Sequence, residues 1–225
     1  MKLMIDDARI EKIKEIWEIY PVEGVTTNPT ILAKSGRNPY EVLKEIRAFI
    51  GKETPLMAQA VSREAEGMAE EGRRMVKELG ENTYVKIPAI PEGFRAMKLL
   101  AGEGIPFTAT AIYTPMQAFL AGQCGASYAA PYLNRIDNMG YNGVQAAKDI
   151  HDIFRNNGMK TEVLVASFKN SHQLLEMCKY GVGAATVAPE VIEGLVKNQT
   201  ILSAVDVFVQ DFEGLAGTGR TMNDC

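Results

Sequence analysis

The chain has 225 residues, of which 46% are hydrophobic, and a formal net charge of −4 at pH 7. This is the composition of an ordinary globular protein with a sizeable core, and its mild acidity argues against nucleic acid or an anionic membrane surface as a partner. The expected ligand is small, and it can still be an anion if a few basic residues converge on it.

The first residues, MKLMIDD, have neither the basic nor the apolar region of a signal peptide, and no segment reaches the roughly 18 apolar residues of a membrane span. We therefore expect a cytoplasmic protein. The three cysteines, Cys124, Cys178 and Cys225, are odd in number and widely spaced, which favours reduced thiols over a disulfide framework or a zinc site. His151 and His172 fall in predicted helices and are interpreted as packing or surface residues.

Short apolar runs alternate with amphipathic segments along the chain, the pattern of repeated βα units. The predicted strands cover residues 3–6, 24–28, 56–61, 83–88, 107–112, 128–133, 162–167 and 184–188. The main predicted helices cover residues 9–20, 40–50, 63–79, 93–101, 115–122, 143–156, 171–179 and 189–197. Parallel strands need crossover connections, and eight units in about 200 residues predict an α/β fold with a single (β/α)8 TIM barrel. A doubly wound open sheet is the alternative.

A further amphipathic helix is predicted over residues 202–215, with Val205, Phe208, Val209 and Phe212 on one side and a Gly-rich tail behind it. We therefore divide the chain into a barrel of residues 1–201 and a C-terminal helix and tail of residues 202–225. The apolar side of this helix is available to a neighbouring subunit.

Lys86 lies within the run TYVKIP, residues 83–88, which otherwise has the pattern of a buried strand. Strand alternation directs Lys86 away from Val85 and Ile87, so the aliphatic residues can face the helices while the lysine faces the barrel interior. Burial lowers the pKa of a lysine and supplies the neutral amine that attacks carbonyl carbon. The structural alternative is a lysine that guards a sheet edge or reaches out to water.

The carboxyl ends of the strands surround the active site of a (β/α)8 barrel, so polar residues there are candidates. They are Asp6, Thr26, Asn28, Gln59, Lys86, Thr110, Tyr132, Asn134, Arg135 and Ser167. A lysine beside one carboxylate and several hydroxyls, without a cluster of metal ligands, indicates a Schiff base rather than a metal site. Arg135 and Ser167 can bind a phosphate, although Arg135 can equally form a structural ion pair with Asp137.

Four segments occur in this order: GVTTNPT at 24–30, VKIP at 85–88, APYLNRID at 130–137 and ASFK at 166–169. Together they resemble the small transaldolase family, and most closely its fructose-6-phosphate aldolase branch. The resemblance runs nearly from Met1 to the final helix. It implies a (β/α)8 barrel, a Schiff-base lysine at Lys86, and neither a metal nor another cofactor. It also implies a ring-shaped homo-oligomer, a pentamer or decamer, in which the last helix reaches a neighbour.

Within that family three positions are informative. Transaldolases usually have a glutamate on the third strand, an asparagine on the fifth and a phenylalanine on the sixth. The matching positions here are Gln59, Thr108 or its neighbour Ala109, and Tyr132, which favour the aldolase branch.

Two departures from the family pattern are also present. Asp7 follows Asp6 where the family commonly has threonine, and Asn138 follows Asp137 where transaldolases often have a second aspartate. Neither departure removes a proposed catalytic group.

The resemblance implies an aldolase that interconverts fructose 6-phosphate with dihydroxyacetone and glyceraldehyde 3-phosphate. Lys86 is expected to form the imine and Asp6 to take the C4 hydroxyl proton, while Tyr132, Gln59 and Thr110 hold a proton-shuttling water. The expected substrate-binding residues are Asn28, Thr26, Arg135 and Ser167.

Structural alternatives stand beside several of these roles. Asn28 before Pro29 can simply shape a turn, a threonine such as Thr26 at a strand end is often structural, and Gln59 or Thr110 can satisfy buried backbone groups. The alternative functions are a transaldolase, which passes the dihydroxyacetone unit between sugar phosphates in the pentose phosphate pathway, and a phosphosugar-binding barrel without turnover.

Overall fold

Eight parallel strands close into a barrel in sequence order in the computed structural model, which describes all residues from Met1 to Cys225. The strands are β1 (Lys2–Asp6), β2 (Val25–Thr26), β3 (Leu56–Gln59), β4 (Thr83–Pro88), β5 (Phe107–Ile112), β6 (Tyr128–Pro131), β7 (Glu162–Val165) and β8 (Ala184–Val187). β8 pairs with β1 as well as with β7, so the sheet has no edge. The predicted (β/α)8 barrel is confirmed, and the open sheet is excluded.

Eleven α-helices surround and extend the barrel. They are α1 (Ile10–Ile19), α2 (Pro29–Ala33), α3 (Pro39–Ile50), α4 (Ala65–Leu79), α5 (Pro91–Gly102), α6 (Pro115–Gln123), α7 (Leu133–Asn138), α8 (Gly143–Asn156), α9 (Ser171–Tyr180), α10 (Pro189–Gly194) and α11 (Gln199–Ala216). A short 3-10 helix, Met222–Asp224, ends the chain. No helix is long and apolar enough to cross a membrane.

The short helices α2 and α7 are absent from the sequence prediction, and the strands before them end two residues earlier than predicted. In the first case the side-chain oxygen of Asn28 accepts a hydrogen bond of 3.0 Å from the backbone nitrogen of Ile31, and Pro29 takes the first helical position. An asparagine followed by proline therefore starts a helix here, because it forms an N-cap and a preset first turn rather than a simple turn.

The apolar core consists of two clusters, one outside the strands and one inside the barrel, and together they show which way Lys86 points. Val85 and Ile87 are fully buried in the main cluster, between the strands and the outer helices. A second cluster fills the barrel interior towards the amino ends of the strands, formed by Met4, Met57, Tyr128, Leu164 and Ala184. Lys86 is also buried but belongs to neither apolar cluster. It faces the interior, as strand alternation predicts.

The helix α11 has no buried residue in the single chain and begins at Gln199, so the predicted division at residues 201 and 202 falls inside it. Its exposed apolar side chains include Ile201, Leu202, Val205, Phe208 and Val209. This helix adds nothing to the barrel core of its own chain.

We expect Gly93→Ala to destabilise the barrel by about 3 kcal/mol, because α5 begins too close to the end of β4 to accept a side chain. A Cβ atom on Gly93 would lie 1.8 Å from the carbonyl oxygen of Pro88. Gly102 ends the same helix and has nothing within 4 Å of an added Cβ. Gly102→Ala is therefore the matched control and should leave stability unchanged or raise it by up to about 1 kcal/mol. Urea unfolding of both variants checks this, and equal midpoints would contradict the tight approach.

Candidate active site

A polar cavity of about 260 Å³ opens at the carboxyl ends of the strands. Eleven residues line it: Asp6, Asn28, Pro29, Thr30, Gln59, Lys86, Tyr132, Arg135, Ala166, Ser167 and Thr186. The sequence predicts most of the polar members of this set. Two predicted residues, Thr26 and Thr110, are fully buried and lie behind the lining. No group of three or more histidine, cysteine or acidic side chains is arranged to hold a metal ion.

Lys86 is 5% exposed, and its ammonium group has no carboxylate partner within ion-pair distance. Nζ donates one hydrogen bond, of 2.8 Å, to the carbonyl oxygen of Thr27. Burial lowers the pKa of Lys86; the carboxylate of Asp6 opposes this effect, and the charge of Arg135 adds to it. Because the barrel has no edge and the amine is buried, neither structural alternative for this lysine applies.

Asp6 ends β1 and points into the cavity, where burial raises the pKa of its carboxyl group. The charge of Lys86 and a hydrogen bond from Thr26 act in the opposite direction. Thr26 Oγ1 lies 2.8 Å from Asp6 Oδ1 and 2.5 Å from Thr186 Oγ1. Thr26 therefore contacts Asp6 rather than the cavity, and its hydrogen bond orients the carboxylate.

Tyr132 also lines the cavity. Its oxygen lies 2.8 Å from Thr110 Oγ1, so the buried threonine pairs with a side chain and not with a backbone group. Gln59 ends β3 and lines the cavity, and its amide forms no hydrogen bond within the protein. The three residues leave one hydroxyl and one amide free to hold a water molecule or a substrate hydroxyl.

Arg135 lies in α7 and has no carboxylate partner. Asp137, the alternative partner, instead accepts hydrogen bonds from the Gly143 backbone nitrogen at 2.7 Å and from Gln173 Nε2 at 2.8 Å. The guanidinium of Arg135 lies 4.7 Å from the centre of the Tyr132 ring. It is therefore a cation at the cavity wall with its charge uncompensated, which suits a bound anion.

Ser167 and Asn28 also line the cavity. Ser167 has φ of 65°, a left-handed conformation that costs energy for a serine and is concentrated at functional sites. Asn28 caps α2 with its side-chain oxygen, which leaves its amide nitrogen to the cavity. Asn28 thus both starts α2 and lines the site. Asn134, the remaining strand-end candidate, is outside the lining and contacts Gln173 at 3.3 Å.

Sequence reasoning missed three polar residues of this region, Thr30, Thr186 and Tyr113, of which Thr30 lies in the unpredicted helix α2. Thr186 is the last inward-facing residue of β8, so applying strand alternation to that strand would have found it. Tyr113 follows β5 and lies edge-on to Tyr132 with 5.7 Å between ring centres. No local signal marks Tyr113, because its direction depends on an irregularity in β5.

A buried amine, a carboxylate and a free cation around one small polar cavity can form and use a Schiff base. The amine attacks a carbonyl, the carboxylate exchanges a proton with the substrate, and the cation holds an anionic end. The hydroxyl of Tyr132 supplies a second proton-exchanging group. The arrangement therefore fits the covalent chemistry predicted for the strand ends.

Comparison with known proteins agrees with Schiff-base chemistry at this site. A family model described as "Transaldolase/Fructose-6-phosphate aldolase" matches residues 3–222. The chain is 39% identical over 215 residues to a probable transaldolase of Clostridium botulinum, covering 96% of this chain and 99% of the relative. It is 40% identical over 213 residues to a probable transaldolase of Aquifex aeolicus, with coverage of 95% and 97%.

A solved structure of a mandelate oxidase mutant with an FMN adduct has a TM-score of 0.57 and 16% identity to this chain. The match covers 95% of this chain and 73% of that one. At this identity the likeness concerns the barrel alone.

Proposed function

We propose that this chain, which belongs to the transaldolase/fructose-6-phosphate aldolase family, cleaves fructose 6-phosphate to dihydroxyacetone and glyceraldehyde 3-phosphate and catalyses the reverse addition. Family membership makes it a Schiff-base aldolase or transaldolase, and the proposal concerns the choice between them. One observation carries it: Tyr132 lines the cavity, and its hydroxyl pairs with Thr110 at 2.8 Å. The relatives named above are called probable transaldolases, so transfer of the dihydroxyacetone unit is the second candidate.

The reaction begins at Lys86. Its neutral amine attacks C2 of the open-chain ketose, and uptake of one proton with loss of water gives an iminium ion that can accept electrons. The low exposure of Lys86 and the lowered pKa that burial causes support this step, because they favour the uncharged amine. The Thr27 carbonyl accepts a hydrogen bond from Nζ and holds the amine in place before attack.

Asp6 takes the proton of the C4 hydroxyl as the bond between C3 and C4 breaks. The bonding electrons pass into the iminium, which becomes the enamine of dihydroxyacetone, and glyceraldehyde 3-phosphate leaves. Asp6 faces the same cavity as Lys86, and the hydrogen bond from Thr26 orients its carboxylate. Arg135 and Ser167 receive the phosphate, while Asn28 and Ser167 orient the donor hydroxyls.

Protonation of the enamine at C3 and hydrolysis of the imine complete the cycle. A water molecule held by Tyr132 and Gln59, with Thr110 orienting the Tyr132 hydroxyl, delivers the proton and then attacks C2 as hydroxide. This attack releases dihydroxyacetone and regenerates the amine, and Asp6 returns its proton to solvent. A tyrosine hydroxyl can exchange a proton in this step and a phenylalanine cannot. The presence of Tyr132 therefore favours release to water over transfer to a second sugar.

We also propose that α11 packs on a neighbouring subunit of a homo-oligomeric ring, a pentamer or decamer. Support comes from its lack of any buried residue and from its exposed apolar side chains, among them Val205, Phe208 and Val209. Burial of such a surface between subunits is favourable, whereas large exposed apolar patches are uncommon on monomers. The barrel of residues 1–201 would then carry the chemistry and the C-terminal segment the assembly.

Release and transfer can be compared directly. With fructose 6-phosphate as donor, we expect free dihydroxyacetone to form faster than sedoheptulose 7-phosphate when erythrose 4-phosphate is the acceptor. Tyr132→Phe should lower the ratio of release to transfer about tenfold, because the ring remains and the proton-exchanging hydroxyl is lost. Tyr128→Phe is the matched control, since Tyr128 faces the amino end of the same barrel and its hydroxyl contacts Lys2 at 3.4 Å. Transfer that exceeds release by orders of magnitude in the unmodified enzyme would make it a transaldolase.

A further inference from the structure

We propose that Tyr113 is a positioning residue that orients Arg135 and Tyr132, and that the site thereby prefers aldehydes with an anionic group over neutral ones. The inference rests on the proposed aldolase function and deepens it. Tyr113 does not line the cavity, so it acts on the substrate only through the two residues that do.

The backbone of β5 reverses its alternation just before Tyr113. Thr110 faces the interior, where it contacts Tyr132, so regular alternation would direct Ile112 inward and Tyr113 outward. Instead Ile112 is fully buried in the core between strands and helices, and the Tyr113 ring lies against Tyr132.

The cause is an irregularity at Ala111. The register of β5 against β6 shifts between Ala109 and Ile112, and Ala111 has φ of 54°. One inserted residue changes the parity of the strand, as a β-bulge does, and turns Tyr113 towards the cavity mouth. A left-handed alanine is unfavourable by itself, which indicates that surrounding contacts hold this conformation.

Gln117 of α6 provides those contacts. Its side-chain oxygen accepts hydrogen bonds from the backbone nitrogens of Tyr113 at 2.9 Å and Thr114 at 3.1 Å. Its side-chain nitrogen donates to the carbonyl oxygens of Ala89 at 3.0 Å and Ala111 at 3.4 Å. These hydrogen bonds tie the bulge to the backbone just beyond β4, the strand that carries Lys86. They therefore fix the position of the backbone from which the Tyr113 side chain extends.

The side chain of Tyr113 contacts two residues of the cavity lining, Tyr132 and Arg135. Its ring meets the Tyr132 ring edge-on, with 5.7 Å between centres and 76° between planes. Its hydroxyl oxygen accepts a hydrogen bond of 3.5 Å from Arg135 Nη1, and the Arg135 guanidinium covers the face of Tyr132 at 4.7 Å. The three side chains form one cluster, in which Arg135 and Tyr132 line the cavity and Tyr113 does not.

The contact with Tyr113 is important for Arg135 because no carboxylate holds the guanidinium group in place. The Tyr113 hydroxyl is the only hydrogen-bond acceptor that the protein offers its side chain. A long, flexible arginine loses rotamer freedom when it binds an anion, and a preset orientation reduces that loss. Removal of the hydroxyl should therefore weaken the binding of an anionic aldehyde and leave a neutral aldehyde unaffected.

The test compares Tyr113→Phe with the unmodified enzyme, using dihydroxyacetone as donor and either glyceraldehyde 3-phosphate or glyceraldehyde as acceptor. We expect KM for the phosphorylated acceptor to rise about tenfold, the equivalent of one hydrogen bond to a charged group, with kcat within about twofold. KM for glyceraldehyde should stay within about twofold. Tyr141→Phe is the control, since Tyr141 is 69% exposed and its side chain forms no hydrogen bond.

A second variant separates the ring from the hydroxyl. Tyr113→Leu removes the edge contact with Tyr132 as well, so kcat should fall with both acceptors in addition to the rise in KM for the phosphorylated one. An equal change of KM for both aldehydes in Tyr113→Phe, or an unchanged preference between them, would overturn the inference.

The proposed function is tested separately by borohydride trapping of dihydroxyacetone on Lys86, which does not require an acceptor. If the unmodified enzyme forms no adduct, the Schiff-base function has failed. If both enzymes form the adduct and the acceptor preference is unchanged, only the role of Tyr113 is wrong.

Discussion

Replacing Lys86 with methionine should abolish cleavage of fructose 6-phosphate, with kcat/KM falling by at least about 10⁴-fold. Methionine has a similar length but no nucleophile, so no iminium ion forms and the electrons of the C3–C4 bond have no acceptor. The fold should tolerate the change because Lys86 is buried and makes a single hydrogen bond, to Thr27. We expect the free energy of unfolding to change by no more than about 1 kcal/mol, since loss of that bond is offset by loss of a desolvated amine.

The measurement combines steady-state kinetics with borohydride reduction in the presence of dihydroxyacetone. Peptide mass analysis should place the reduced adduct on Lys86 in the unmodified enzyme and find none in Lys86→Met. Lys169→Met is the matched control, because Lys169 is an exposed lysine two residues after Ser167. It should keep both activity and adduct. Substantial activity in Lys86→Met, an adduct on another lysine, or inactivation by a chelator would contradict the Schiff-base mechanism.

The direction of Lys86 was predictable because strand alternation is local. The pattern of TYVKIP alone places Val85 and Ile87 on one side and Lys86 on the other, and the barrel preserves that pattern without interruption. The closed sheet likewise follows from eight regular βα units. Where local pattern and final structure obey the same period, sequence is a sufficient guide.

Tyr113 was not predictable for the converse reason. Its direction depends on the bulge at Ala111, and that bulge depends on Gln117 reaching back to Ala89, 28 residues earlier in the chain. The sequence of β5, FTATAI, contains no glycine or proline that would indicate an irregularity in the strand. A polar residue on a neighbouring helix supplies the information instead.

Whether Arg135 forms an ion pair within the protein also depends on residues distant in the sequence. Asp137 is its near neighbour in sequence and a plausible partner, but Gly143 and Gln173 occupy the Asp137 carboxylate. Gln173 is 36 residues away from Asp137. Only the packing of α7 against α8 and α9 shows that the charge of Arg135 is left for a ligand.

Asp6→Asn should lower kcat for fructose 6-phosphate cleavage by about 10²- to 10³-fold, the usual range for loss of a proton-transfer group. Asparagine fits the same space but cannot take the C4 hydroxyl proton. Because Lys86 remains, dihydroxyacetone should still be trapped on it by borohydride. Thr26→Val is the matched control, since it removes the 2.8 Å hydrogen bond to Asp6 but keeps the carboxylate. It should cost far less activity than Asp6→Asn does.

Asp6→Asn should also change the pH dependence of imine formation at Lys86. Burial lowers the pKa of Lys86, while the Asp6 carboxylate stabilises the ammonium form and raises that pKa part of the way back. Without the carboxylate the pKa of Lys86 falls further, so the neutral amine is present at lower pH. The trapping rate rises as pH increases through this pKa, and in Asp6→Asn the rise should begin at lower pH than in the unmodified enzyme or in Thr26→Val. An unchanged pH dependence in Asp6→Asn would mean that Asp6 is uncharged beside Lys86, and its role as proton acceptor would then be untenable.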